Sequence, residues 1–375
     1  MQLTPWVQRL TLAASNTLAC LTVQAQTAPL EGSIGLKWMN YQETQGPLER
    51  IRVQARSAFV TLPLPQNLAV DATQTVDVIS GASPAYYTES RTFTPVHDVR
   101  RAHDLRLSWF NNLQKWTLGQ TRSAENDYLS QGASLAFLQS TPDRNISIEV
   151  GLSQNQDTIN PVNRLVTDKH KTTQDILLST TLVISPRDIV QMSWTANTAR
   201  GYLSDPYKFF DVRPDWRRSN SLALRWNHHF ASTGSTLRLS TRLHQDSFAI
   251  RSIMLQGEYS QSLDNGWFIT PLLRHYSQTQ ASFFSAPDPS QPSQPQIPAG
   301  TQLGISPLSF DQRLSAFGAI TAGIKIEKRL ASQTTLDLRF DQYEQRNHWG
   351  LLQSATPGLA NFKARILQLG IRQKF

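Results

Sequence analysis

The sequence predicts an all-β fold: a single transmembrane antiparallel up-and-down β-barrel of about sixteen strands, with 14 or 18 as alternatives. Three observations predict it. Apolar and polar residues alternate with period two in segment after segment, as in strands with one apolar and one polar face. Between these segments, short polar turns alternate with long loops, which matches periplasmic turns and extracellular loops. The chain also ends in Phe375 behind Leu367, Leu369 and Ile371 at alternating positions. Such an end is similar to the signal read by the barrel-assembly machinery of Gram-negative bacteria, although Gln373 is polar where that signal is apolar.

The first 25 residues stand apart. Arg9 is the only charge before Glu31, and a mainly apolar stretch from Leu10 to Val23 leads to the small-residue pattern Val23-Gln24-Ala25. This reads as a signal peptide over residues 1–25, leaving residues 26–375 as the barrel. The sole cysteine, Cys20, lies inside it, so the mature chain has no disulfide, thiol chemistry or cysteine metal site. The expected destination is the outer membrane of a Gram-negative bacterium.

The strands follow in order near 34–41, 50–62, 67–79, 102–110, 115–124, 127–138, 145–154, 172–184, 188–198, 218–228, 235–245, 250–261, 266–279, 313–329, 333–345 and 361–375. Ile146, Ile148, Val150 and Leu152 alternate with Ser147, Glu149, Gly151 and Ser153, and Leu336, Leu338 and Phe340 alternate with Asp337, Arg339 and Asp341. A helical face needs apolar residues three and four apart, which these windows lack. Short turns fall at 140–144, 185–188, 262–266 and 331–333, and long segments at 80–101, 155–171, 199–217, 280–312 and 346–360. Trp109, Trp116, Trp226 and Trp267 sit beside the short turns, with Tyr41, Tyr128, Tyr276 and Tyr343 toward the opposite ends. Two aromatic girdles are what the two membrane interfaces select.

Charged residues are only 17% of the chain and apolar residues 39%, with a net charge of +8 that becomes +7 once Arg9 is removed (8 − 1). Arginine outnumbers lysine 27 to 9. Arg50, Arg52, Arg56, Arg106, Arg225, Arg238, Arg242, Arg339 and Arg372 fall on the polar phase of strands and are expected to face the lumen. Asp71, Asp77, Glu149, Asp337 and Asp341 are expected beside them, with Arg52 opposite Asp77. Cross-strand ion pairs that fix the wall are one reading; an electropositive, anion-favouring pore is the other. No basic patch with interleaved aromatics suggests nucleic acid.

The loops carry unusual words. Ser80-Gly81-Ala82-Ser83-Pro84 ends the third strand, where Gly81 and Pro84 suggest a bend that folds 80–101 into the lumen. Glu125-Asn126-Asp127-Tyr128 forms a tight connection. Gly201-Tyr202-Leu203-Ser204-Asp205-Pro206-Tyr207 is followed by Arg213-Pro214-Asp215. Arg274, Tyr276 and Gln278 precede a Pro/Ser/Gln-rich loop, and Asp311-Gln312-Arg313 reopens the barrel. Glu125, Asp127, Asp205 and Asp215 have the chemistry to bind a hard cation such as calcium. The plainer reading, which the residues favour, is that they cap turns and pair with Arg122, Arg213 or Arg217.

In this order the words resemble an uncharacterised Gram-negative outer-membrane barrel family, domain of unknown function 3570, from about residue 34 to the C-terminus. The resemblance implies no enzymatic activity. It implies a gene neighbourhood with a small periplasmic lipoprotein, a thioredoxin-like protein and a flavin transferase, hence a structural or conduit role in an envelope redox or flavin-linked electron-transfer system. The residues themselves suggest a passive porin-like channel with an arginine-lined lumen as the alternative. A rim hydrolase is the third reading; eight histidines are available, but no Gly-x-Ser-x-Gly elbow or His-Glu-x-x-His helix accompanies them. No cofactor is expected. The expected partners are outer-membrane lipids, the assembly machinery and a periplasmic lipoprotein or flavinylated redox protein.

Overall fold

In the computed structural model, which describes residues 27–375 apart from 46–47, 85–92, 292–293, 295, 331–332 and 353–354, the period-two segments become strands. The signal segment 1–25, with Cys20, lies outside the described residues. The strands are β1 (Ser33–Gln45), β2 (Leu48–Leu64), β3 (Leu68–Pro84), β4 (Phe93–Asn111), β5 (Gln114–Ala124), β6 (Tyr128–Ser140), β7 (Ile146–Ile159) and β8 (Lys169–Ser185). They continue as β9 (Asp188–Gly201), β10 (Trp216–Phe230), β11 (Ser235–Asp246), β12 (Arg251–Leu263), β13 (Trp267–Gln278), β14 (Phe317–Arg329), β15 (Thr334–Arg346) and β16 (Phe362–Lys374). Each strand pairs antiparallel with its sequence neighbours, and β1 pairs with β16 to close the sixteen-stranded barrel. Closure satisfies the backbone without leaving a sheet edge in lipid.

The two faces of the wall differ as the alternation requires. Leu105, Leu107, Leu118, Ile148, Val150 and Leu369 are exposed, an apolar belt too continuous for a surface in water. Between them, on the inner face, hydroxyls meet across strands, as in Ser57–Thr75 at 2.9 Å and Ser179–Ser193 at 2.8 Å. Trp109 and Trp116 stand opposite one another beside the 112–113 turn, and both are exposed, as is Trp267. Trp226 is half-buried and donates its indole N–H to Asp188. On β16, Leu369, Ile371 and Phe375 are exposed and Leu367 is half-buried on the same face.

Several expectations change. Residues 80–84 and 93–101 are strand and not a loop folded into the lumen, while 85–92, the rest of the expected segment, lie outside the described residues. β3 and β4 stay paired up to Ser83 opposite Thr94 and Pro84 opposite Phe93, a tall hairpin on the outer rim. Gly81 has φ +121, and a Cβ there would lie 1.9 Å from the Arg50 carbonyl oxygen. Its role is therefore close backbone approach, not a bend.

Arg52 and Arg56 face outward, not into the lumen. The 65–67 turn uses left-handed Gln66 and Asn67 (φ 61 and 60) and sets Leu64 opposite Leu68, which puts Ala55 opposite Asp77 and Arg52 opposite Ser80. That is three residues from the expected partner, and an odd shift changes which side chains share a face. The apolar phase Ile51, Val53 and Ala55 turns inward and is buried with Met39, Tyr41, Ile79, Ala364 and Ile366. Here the upper lumen is filled by side chains, so apolar no longer means lipid-facing.

The tyrosine girdle is also corrected. Tyr41 and Tyr128 are buried (3% and 8% exposed), and Tyr276 and Tyr343 pack against the inner clusters. Each rim tyrosine hydroxyl finds a partner inside: Glu43 for Tyr41, Asp157 for Tyr128, Gln278 for Tyr276 and Gln345 for Tyr343.

Candidate functional site: a loop hub over the outer mouth

Two long loops, 202–215 between β9 and β10 and 279–316 between β13 and β14, are built into each other. Val212 and Leu308 exchange backbone hydrogen bonds of 2.8 and 2.9 Å. Phe248, Ile250, Ala281, Phe284, Leu308, Phe310 and Leu314 form a buried cluster, with Leu203 and Phe210 packed against it. Such a core packs the two loops against each other. In loop 202–215, the Tyr207 amide donates to the Asp205 carboxylate (3.0 Å) and the Arg213 amide to the Ser204 hydroxyl (3.0 Å), folding the chain back on itself.

At the junction sits a charge hub. Arg313 donates to Asp205 and Asp311, each at 2.5 Å, and Arg213 contacts Asp211 at 2.7 Å and Asp311 at 2.8 Å. Lys208 lies within electrostatic reach of Asp205 and Asp311. Three carboxylates thus meet three cations, the neutral balance that burial demands. Burial raises the Asp311 carboxyl, but Arg313, Lys208 and Arg213 outweigh it and hold the group well below the usual carboxylate range. Burial lowers the Lys208 ammonium to about 8 against the pull of Asp311. Asp311 also accepts from the Arg313 amide at 3.0 Å, capping the short helical turn Gln312–Leu314.

The hub is tied to the wall on both sides. Gln45 at the end of β1 donates to Gln312 (3.0 Å), and Arg50 on β2 donates to Gln45 (2.5 Å). A register shift between Gln42 and Thr44 turns Arg50 inward, toward Glu43 at 3.5 Å. On the other side Tyr207 donates to Asp127 at the β5–β6 turn (2.5 Å) and accepts from the Val162 amide (2.9 Å). Asn163 donates to the Pro206 carbonyl. The roots at β9–β10 and β13–β14, and the attachments at β5–β6 and β1–β2, are four points a quarter-ring apart in sixteen strands. Chains anchored at four quarters meet over the axis, so the hub bridges the mouth.

Most of the loop words converge here. Asp205, Tyr207, Asp311 and Arg313 are in the hub or its ties, and Pro206 accepts from Asn163. Gln278 donates to the carbonyls of Arg313 and Ser315, buttressing the hub. Gly201 has φ +110, close against the His170 carbonyl, which accepts from the Tyr202 amide. Ser80 stands opposite His97 on the β3–β4 hairpin, and Arg274 donates to Gln256 on the inner face. The acidic set splits. Asp205 belongs to Arg313, Asp215 is exposed, and Glu125 and Asp127 meet Asp98 instead, one carboxylate oxygen from each lying within 4.8 Å of the others. The expected basic partners change too: Arg213 takes Asp211 and Asp311, and Arg217 takes Asp246. Arg100, Asp98, Asp157, Gln45 and Lys208 were not singled out from the sequence, since each gains its role from a contact distant in the chain.

Below the hub the lumen wall is polar. Arg106, Arg225, Arg238, Arg242, Arg339 and Arg372 share the inner face with Asp71, Asp77, Glu149, Asp337 and Asp341, alternating with exposed apolar neighbours. Ion pairs join Arg106 to Asp104 (3.1 Å), Arg339 to Asp341 (2.8 Å) and Arg238 to Glu258 (3.5 Å). Asp71 accepts from Thr61, and Asp77 is held by Arg100. The inner face of β10–β13 carries Arg225, Arg238, Arg242 and Arg274 against one strand carboxylate, Glu258, which pairs with Arg238, Asp246 at the mouth being taken by Arg217; Arg274 also lies within electrostatic reach of Asp341 on β15.

Four of the eight histidines are engaged structurally on the strands. His228 bonds Asp188 (2.8 Å), His229 bonds Thr236 (3.2 Å) and His275 bonds the Trp349 carbonyl (3.0 Å). His244 lies 2.9 Å from the Ser221 hydroxyl and 3.8 Å from Asp246. This line imitates a hydrolase triad, yet Asp246 is spent on Arg217 and on the Phe248 and Ile250 amides. Ser221 sits mid-strand between β9 and β11, so its neighbouring amides serve the ladder instead of an oxyanion hole.

The family model described as "Protein of unknown function (DUF3570)" matches residues 86–168 and 163–370, well over half of the chain. The chain belongs to this family. No curated protein matches it in sequence. Among solved structures, "Bacterial polysaccharide outer membrane secretin" matches at 9% identity and a TM-score of 0.52, covering 91% of this chain and 98% of that one. Pseudomonas aeruginosa OccK5 (OpdH) matches at 9% identity and TM-score 0.46, covering 92% of this chain and 98% of its own, and the CymD monoaromatic hydrocarbon channel at 8% and 0.44, covering 98% and 92%. At such identities the likeness concerns the fold alone. The DUF3570 chain has the porin-like fold of outer-membrane barrels.

Proposed function

We propose that this DUF3570 barrel is a capped channel, with a polar lumen that passes small, preferentially anionic solutes when the loop hub over its outer mouth opens. The meeting of loops 202–215 and 279–316 over the axis carries this reading. Side-chain exposure divides the lumen along its length. Arg238 and Arg339 on the wall are 37% and 30% exposed, whereas Arg213 and Arg313 in the hub are each 11% exposed. Water reaches the wall far more freely than the hub. The anion preference rests on the four arginines of β10–β13, because fixed charge lining a pore sets the sign of its selectivity.

Planar-bilayer recording tests the reading. Wild type should open rarely, Arg313→Ala often, and the open state should favour chloride over potassium. A steady, large wild-type conductance unaffected by Arg313→Ala would remove it. The envelope redox or flavin-linked role is supported by the family resemblance alone. Co-purification with a flavinylated or haem-bearing partner is its test, and repeated isolation without one counts against it.

A further inference from the structure

The outward turn of Arg52 and Arg56 leaves a charged surface that the channel reading does not use. Outside the wall, Ala58 stands opposite Gln74, Gln74 opposite His103, and His103 opposite Arg122, in one row across β2–β5. The next row runs from Arg56 through Val76 and Arg101 to Ala124. Arg52, Arg56, Arg101, His103 and Arg122 are all exposed. Of the acids described on these strands, Glu49 is exposed at the start of β2, where it accepts from Gln42; Asp71, Asp77, Asp98 and Asp104 lie on the inner face, engaged with Thr61, Arg100, the Val99 and Asn126 amides, and Arg106. Among the described residues, no ion pair neutralises the outer five.

Cross-strand neighbours of like charge are destabilising unless something compensates. Here Arg101 and Arg122 are diagonal neighbours and Arg56 lies two strands from Arg101, roughly 10 Å away. The height is also informative. Directly below are the exposed Leu105, Leu107 and Leu118, then Trp109 and Trp116 at the turn. Ten residues of tilted strand from Asn111 to Arg101 climb about 25 Å along the membrane normal, which is the height of a barrel's apolar belt. The arginines therefore sit where acyl chains give way to headgroups.

We propose that the outer face of β2–β5 is a docking surface for a phosphorylated glycolipid of the outer leaflet, its phosphates held by Arg56, Arg101 and Arg122. Guanidinium is suited to this because it pairs with phosphate through two parallel hydrogen bonds. The inference rests on the membrane-spanning fold and is independent of whether the lumen conducts.

The test uses the full-length protein reconstituted in phosphatidylcholine vesicles containing either a bis-phosphorylated glycolipid (lipid A) or the same lipid with its phosphates removed. Lipid retained through purification is measured by native mass spectrometry. Wild type should retain the phosphorylated form at least about tenfold better. Arg56→Gln/Arg101→Gln/Arg122→Gln should lose that preference, while the inner-face control Arg238→Gln/Arg242→Gln keeps it. Equal retention of the two lipids by wild type, or an undiminished preference in the triple variant, would overturn the proposal. The wild-type comparison decides the matter even where the triple variant fails to insert, and bilayer conductance of the same samples reports separately on the channel.

Discussion

Tyr207 in the β9–β10 loop donates its hydroxyl to Asp127 at the β5–β6 turn, 80 positions earlier in the chain, at 2.5 Å. The same oxygen accepts from the Val162 amide. One phenol thus pins the 202–215 loop to two neighbouring connections. Phenylalanine keeps the ring and removes both bonds. Tyr207→Phe should cost about 1 kcal/mol per lost bond, felt by the loop and not by the barrel. Limited proteolysis should cut the loop faster while the detergent-resistant barrel keeps its melting behaviour. Unchanged cleavage would show that the apolar cluster alone holds the loop.

Arg313 is the keystone of the hub because two carboxylates depend on it. Removing it leaves Asp205 and Asp311 with less positive charge than burial tolerates, a loss of about 3–5 kcal/mol. Arg313→Ala should raise channel open probability in planar bilayers, and Arg313→Lys should restore closure only partly, since an ammonium cannot span both acids as the guanidinium does. Equal gating in all three proteins would sever the hub from the gate.

The strands were legible in the sequence because each is a local pattern. Ile146 to Leu152 announces β7 without help from any other segment. Facing was legible wherever the lumen is wet, as along β15, where Asp337, Arg339 and Asp341 turn inward. It failed at β2, where Ile51 and Val53 pack inside a filled upper lumen and Arg52 and Arg56 take the outer face. Register depends on a turn, and the left-handed pair Gln66-Asn67 lacks the glycine that would have marked it. The hub words were visible as words. Their meeting was not, since Asp205 and Arg313 are separated by 108 positions and no periodicity encodes a contact between two loops.

The corrected register makes opposite predictions for two arginines. Arg100 stands opposite Asp77 and holds it in a pair whose side chains are 4% and 0% exposed. Arg100→Ala strands a buried carboxylate and should destabilise by about 3–5 kcal/mol. Arg52→Ala, on the outer face, should change stability by within about 0.5 kcal/mol. Urea unfolding in lipid vesicles distinguishes them. A large effect of Arg52→Ala with none from Arg100→Ala would reinstate the pairing of Arg52 with Asp77.

Glu125, at the turn carrying Asp127, gives the outer rim a dependence on pH. Burial, with help from Asp98 and Asp77 and against the pull of Arg100, raises its carboxyl from 4.5 to about 7. The folded turn therefore binds its proton more tightly than the unfolded chain does. The resulting stability is fully present below pH 4.5 and is lost as pH rises through about 7, a change on the order of 3 kcal/mol. Ionised Glu125 would stand within a few ångströms of Asp98 and Asp127, loosening the turn that anchors Tyr207. Hydrogen exchange of the 125–128 amides, corrected for its intrinsic pH dependence, should show greater protection at pH 5 than at pH 8. Glu125→Gln should remove the difference, because the amide stays neutral throughout. Protection that still rises toward acid pH in that variant would assign the effect to another group.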